Sequence, residues 1–189
     1  MKKHFLKTLM TFGILSGFMF ATSLDTAGAK VKWTAFKTTD KVAVSGTFDD
    51  IQYKFGKGHA SIKEILEGAT AILTPSKVNL NDALKNKNVR EYFFAKFKTR
   101  DDIKVTFKKV IEGKDKGTIF ATIKMNGKIV KVPMQYEIKD NFLEAKGVID
   151  LAEFYVTDAL NSLTQAVKNL HGGLTWTQVE IQFSAPVKN

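Results

Sequence analysis

The feature that most limits this fold is a period of two between Ile103 and Asp150, where apolar and polar residues alternate as they do along half-buried strands. Ile103-Lys104-Val105-Thr106-Phe107-Lys108 alternates strictly, and Ile119, Ala121, Ile123 and Met125 continue the pattern against Thr118, Thr122 and Lys124. Asn126-Gly127 then supplies the pair of positive φ angles that a two-residue hairpin needs. On the return, Val130, Val132, Met134, Tyr136 and Ile138 share one face, and Lys131, Gln135, Glu137 and Lys139 the other. A second turn at Asp140-Asn141 leads to Leu143, Ala145, Gly147 and Ile149. The product is an antiparallel meander with one apolar and one charged face. Pro133 has no N–H to give to a ladder, so its strand is an edge or carries a bulge there.

Val31 to Lys37, Val42 to Phe48, Ala69 to Thr74 and Thr177 to Ser184 read as four more strands, making eight in all. The chain is therefore mainly β, and eight such strands close naturally into an antiparallel barrel that can hold one small ligand. Ser61-Ile62-Lys63-Glu64 is a capping box for a short helix ended by Gly68, and Asn81 to Phe93 reads as a second helix. Leu160, Leu163, Val167 and Leu170 recur at helical spacing after a Thr157 or Asp158 cap, and Gly172-Gly173 stops that helix. This helix near the C-terminus is expected to pack on the barrel wall or over its end.

Residues 1–29 read as a secretory leader. Lys2, Lys3 and Lys7 precede an apolar run from Leu9 to Phe20, and Ala27-Gly28-Ala29 offers the small residues of a cleavage site. The run falls short of the ~20 residues of a membrane span; an uncleaved anchor is the alternative. Removal leaves residues 30–189 as one domain. Since the leader holds those three lysines and Asp25, its loss takes the net charge from +10 to +8. The chain has no cysteine, so an exported domain must be stable without disulfides. The dispersed basic residues, with no RNA-binding aromatic motif among them, point to a solvated surface and away from nucleic acid.

Catalytic signals are lacking. Only His59 and His171 lie beyond the leader, far apart and without a metal-ligand pattern around them. No serine sits in a G-x-S-x-G turn, and Gly56-Lys57-Gly58 lacks the spacing of a phosphate loop. Asp49-Asp50 and Asp101-Asp102 are sequence neighbours whose side chains diverge along a strand, so turn residues describe them better than an acid–base pair. The expectation is a protein that is not an enzyme and that needs no metal or cofactor. Phenylalanine is abundant, with 15 in the chain. Such side chains fill a core or line a tunnel for an aliphatic ligand, and pattern alone leaves both open.

The ends of the domain carry a resemblance. Val31-Lys32-Trp33-Thr34-Ala35-Phe36-Lys37 with Val42-Ala43-Val44-Ser45-Gly46-Thr47-Phe48 resembles the start of the YceI-like family of exported lipid-binding proteins. His171-Gly172-Gly173-Leu174-Thr175-Trp176-Thr177-Gln178-Val179-Glu180-Ile181-Gln182-Phe183 is similar to the end of one branch of it. Ser76-Lys77-Val78-Asn79 and Phe93-Phe94 fall where the family has its SV-x-T segment and its double aromatic. Asn81-Asp82 stands where the family usually has Arg-Asp, and Asn79 or Leu80 where it has Thr. The resemblance implies an extended lipocalin-like barrel around a long apolar tunnel. It also implies a periplasmic location, a polyisoprenoid or similar amphiphile as ligand, and a link to stress.

The expected function is thus a periplasmic carrier of a long-chain amphiphile of isoprenoid, quinone or fatty amide type. Strand parity offers Val44, Phe48, Val105, Phe107, Ile119, Ile123, Val132, Met134, Ile181 and Phe183 as tunnel residues. Trp33, Asn79, Asp82, Tyr136, His171 and Trp176 are the polar candidates for a head group. Outward Lys104, Lys108, Lys124 and Lys131 could draw the protein to an anionic membrane surface, and a homodimer is a further expected partner state. The alternatives are an exported stress or host-interaction protein with a solid barrel and a surface partner, or an enzyme acting on a bound lipid.

Overall fold

The computed structural model describes residues 23–58 and 61–188, and at 170 and 171 the backbone alone. The structure of the leader before Ser23, and His59, lie outside the described residues. All eight expected strands are present: β2 (Lys30–Lys37), β3 (Val42–Phe48), β5 (Thr70–Leu73), β7 (Ile103–Glu112), β8 (Lys116–Met125), β9 (Lys128–Lys139), β10 (Phe142–Asp150) and β11 (Thr175–Lys188). Three short ones join them: β1 (Ser23–Leu24), β4 (Gln52–Lys54) and β6 (Val78–Asn79). The eight-stranded expectation is therefore corrected to an eleven-stranded sheet.

The strand order is β4-β5-β7-β8-β9-β10-β11-β2-β3-β6, with β1 paired to β11, and all the pairings are antiparallel. This order corrects the closed barrel as well, because its two ends do not bond to each other. β3 and β4 are instead consecutive strands joined by a corner at Asp49-Asp50-Ile51, where Asp50 has a φ of 55°. The first pairs with β2 and the second with β5, so the curl is completed by main chain and not by a ladder.

The turns follow their chemistry. Asn126 and Gly127 take φ of 49° and 74°, and Asp140 and Asn141 take 51° and 59°, the left-handed pairs of tight hairpins. Asn126 is the buried polar residue of the described chain. Its Oδ1 accepts from Lys98 N at 2.7 Å and its Nδ2 donates to Phe154 O at 2.9 Å, tying the hairpin to both flanking segments. The β9–β10 ladder stops at Gln135↔Lys146, so Pro133 lies on the open stretch of β9, as a residue without an N–H should. In β7 the register slips between Phe107 and Lys109, which turns Val110 inward. Glu67 accepts the Val110 N–H at 3.0 Å beside that bulge.

Helix α1 (Ile62–Leu66) starts at Ser61, whose Oγ accepts from Glu64 N at 3.1 Å, and Gly68 follows with a φ of 83°. Helix α2 (Ala83–Tyr92) is capped by Asp82, which accepts from Lys85 N at 3.0 Å. Helix α3 (Thr157–Ala166) begins without a side-chain cap, after Val156, so neither Thr157 nor Asp158 has the expected capping role. It breaks at Val167, resumes as α4 (Lys168–His171) and ends at left-handed Gly172. Helices α2 and α3 pack on each other, and α3 also packs on β11. The inward faces of β7 to β11 make one continuous core, in which Ile119, Leu143 and Ala145 are fully buried.

Candidate ligand cavity

Inside the curl lies a cavity of about 340 Å³, within the size range of ligand pockets. Strands β2, β3, β5, β7 and β11 furnish most of its wall, and α2 and α3 furnish one end. Eight of the ten expected tunnel residues face it: Val44, Phe48, Val105, Phe107, Ile123, Met134, Ile181 and Phe183. Ile119 and Val132 point inward as parity requires but pack in solid core and do not reach it, which corrects those two positions. Parity gives the face of a strand; it does not give the depth along the barrel at which the interior is filled.

Aromatic rings bracket the cavity. Phe107 and Phe183 meet edge to face at 5.3 Å, and Phe55 packs on Phe183 at 6.4 Å. Toward the helices, Phe93 and Phe94 meet at 5.1 Å, and Phe48 reaches Phe94 at 6.0 Å. Phe97 supports that pair from behind, at 5.1 Å from Phe93. Tyr53 lies on the wall, and burial pushes its phenol up to about 12.

The polar candidates separate. Trp33 is on the wall; its indole N–H is buried and has no hydrogen-bond partner among the described residues. Trp176 is also on the wall, but its Nε1 donates to Thr38 O at 2.8 Å and Lys41 lies over the ring at 4.7 Å. Asp82 reaches the helix end of the cavity, where the Lys85 N–H it accepts holds its carboxyl below the ordinary range. Tyr136 is corrected: it is buried against Gly117, away from the cavity, and its phenol is raised first by burial and then by the charge of Glu112. The side chain of His171 lies outside the described residues. Asn79 is absent from the cavity wall and lines a neighbouring opening instead.

That opening has a plain cause. The β2–β3 ladder ends at Trp33↔Gly46; beyond it Thr47 gives its hydroxyl to Val31 O at 2.7 Å, and Thr47 and Phe48 turn to pair with β6. Lys30 to Lys32 of β2 are left without a strand partner on that side, and β4 is paired with β5 alone. Between β2 and β4 lies a slot of about 570 Å³, which shares Val31, Lys32, Phe48, Tyr53 and Gln182 with the cavity wall.

Sequence reasoning missed the contribution of the helices. Leu84, Lys85, Asn88 and Val89 of α2 and Leu160 and Leu163 of α3 border the cavity. The Leu160–Leu163 spacing marked an apolar stripe, but nothing in it told whether the stripe meets solid core or a void. Lys37 and Thr175, partners in the β2–β11 ladder, complete the polar residues at this end.

No protein-family model matches the chain, and neither does any curated protein. Solved structures do. A polyisoprenoid binding domain from Saccharophagus degradans, implicated in plant cell wall breakdown, aligns with a TM-score of 0.57 and 17% identity over 89% of this chain and 98% of that one. BcnA of Burkholderia cenocepacia gives 0.58 and 18% over 88% and 99%. The YCEI protein of Campylobacter jejuni gives 0.55 and 15% over 77% and 85%. At such identities the likeness establishes the fold: the resemblance seen in the terminal motifs is one of architecture, and this chain has the YceI-like fold.

Proposed function

We propose that the protein is an exported, periplasmic carrier that holds the tail of a long-chain amphiphile in this cavity and releases it unchanged. The observation that carries the reading is a preformed void walled almost wholly by apolar side chains, from Val44 and Phe48 to Ile181 and Phe183. A well-packed core leaves few voids larger than a water, so a space of about 340 Å³ speaks for an occupant and against the solid-barrel alternative. Each buried methylene contributes about 0.8 kcal/mol, so a chain of about twelve brings roughly 10 kcal/mol before the entropy of association is charged against it. Binding of this kind requires no bond to be made or broken. The polyisoprenoid binding named for one structural neighbour supports an isoprenoid tail as the first ligand to try.

Lys104 and Lys124 stand directly opposite on β7 and β8, both exposed. Like charges so placed repel, and an anionic leaflet would relieve them. The deciding experiment is native mass spectrometry of the exported protein purified without detergent, followed by extraction. A stoichiometric amphiphile is expected. A mass that stays apo after incubation with isoprenoids, quinones and fatty amides would sink the reading.

A further inference from the structure

We propose that the slot between β2 and β4 is a head-group pocket for an anionic amphiphile, whose tail runs from there into the cavity. The inference rests on the carrier reading and names the ligand class within it.

The slot and the cavity adjoin, with Val31, Phe48 and Tyr53 in the walls of both, and their chemistry differs on the two sides. Below lie the phenylalanines and β-branched residues of the wall. Above, Lys32 and Gln182 border both spaces, and the slot adds Lys30, Ser45, Asn81 and Ser184. Lys30 and Lys32 are two apart on one strand, so both project from the same face, the exposed one opposite Val31 and Trp33, at the outer mouth of the slot. Neither ammonium forms an ion pair among the described residues.

Among the described residues no carboxylate lines the slot. The nearest acids by bonding are turned to other work: Asp49 accepts from Asn79 Nδ2 at 2.8 Å, and Glu144 accepts from Gln182 Nε2 at 2.7 Å. Asn79 is itself spent, since its Oδ1 accepts from Asn81 N at 2.8 Å. What the slot offers an entering head group is therefore two cations and, beside them, Asn81 and Ser184, since Ser45 is bonded to Thr34 at 2.9 Å and Gln182 to Glu144. A neutral alcohol, quinone or amide would leave both cations unanswered. A phosphate or carboxylate would take charge-assisted hydrogen bonds from them, about twice as strong as neutral ones. The helix end of the cavity differs, because Lys85 there already faces Asp82 at 3.4 Å.

The test is competitive displacement of a fluorescent fatty-acid probe from the exported protein by two matched pairs: farnesyl phosphate against farnesol, and palmitate against palmitamide. Each pair shares a tail and differs in head-group charge. The anionic member is expected to bind about 10-fold tighter, and the wider gap of the two pairs tells phosphate from carboxylate. In the variant Lys30→Gln, at a position that lines the slot and not the cavity, the preference should shrink while affinity for farnesol and palmitamide stays unchanged, which also shows that the cavity is intact. Equal affinity within both pairs would overturn the proposal and leave the carrier reading standing. So would a preference that survives the slot variant and is lost in Lys37→Gln/Lys85→Gln. Binding of none of the four ligands would remove the carrier reading and the pocket with it.

Discussion

The indole of Trp33 lies over Gly46, its partner across the β2–β3 ladder, so closely that a Cβ on Gly46 would stand 2.4 Å from Cζ2. A methyl group there must push the ring into the cavity or split the ladder at the point where β3 turns away from β2. Gly46→Ala is expected to cost about 1–3 kcal/mol, the usual price of overpacking. Urea unfolding gives the stability, and a change in native tryptophan emission would report the moved ring. An unchanged midpoint and spectrum would show that the contact relaxes freely.

Ala71 of β5 is buried with its side chain on the cavity wall. Ala71→Phe places a ring in open space, so the thermal midpoint should hold or rise. Uptake of palmitate or farnesyl phosphate should fall at least about 10-fold, since the tail and the new ring compete for one volume. Probe displacement checks the second result and calorimetry the first. A variant that is stable and still binds at full strength would place the ligand elsewhere.

Asn126 does two jobs that substitution separates. Asn126→Ala leaves Lys98 N and Phe154 O without their partner and removes the short amide by which asparagine tolerates a φ of 49°. The lost bonds and the left-handed strain together should cost about 2–4 kcal/mol. Asn126→Gly loses the bonds but suits the backbone, and should recover about 1 kcal/mol of that. Denaturant midpoints of the three proteins settle the comparison.

Tyr53 supplies a pH dependence whose sign is fixed by its direction of shift. Burial raises its phenol from 10.0 to about 12, so the folded protein holds a proton that the unfolded chain releases first. The contribution is whole below pH 10 and is lost as the pH climbs from about 10 to about 12. Tyr53→Phe should flatten the stability profile across that window and leave it alone at neutral pH. Phenolate absorbance, titrated in both proteins, identifies the late-ionising tyrosine.

Much of the architecture was legible because β structure writes itself with a period of two. Ile119 to Met125 and Val130 to Ile138 point inward as their alternation required, and both hairpin pairs took left-handed angles. The slip after Phe107 was not legible, since a bulge is an extra residue that alternation cannot distinguish from a turn. Nor were β4 and β6, which are too short to show a period. The cavity was half visible. Parity found Val44, Phe48 and Phe183, but Ile119 and Val132 share the same parity and fill core. Trp33 and Asp82 were found by residue type, whereas Lys30 sits at the slot only because β3 parts from β2 after Gly46, a fact of tertiary path.

Asp49-Asp50-Ile51 joins β3, which pairs with β2, to β4, which pairs with β5. Lys77 holds Asp50 at 2.7 Å across this joint from an exposed position, a tie that salt and solvent loosen. The two edges of the sheet are thus joined at this corner by covalent chain, and Asp49 fastens the same corner to the β6 segment through its N–H to Lys77 O and its carboxylate to Asn79 Nδ2, each at 2.8 Å.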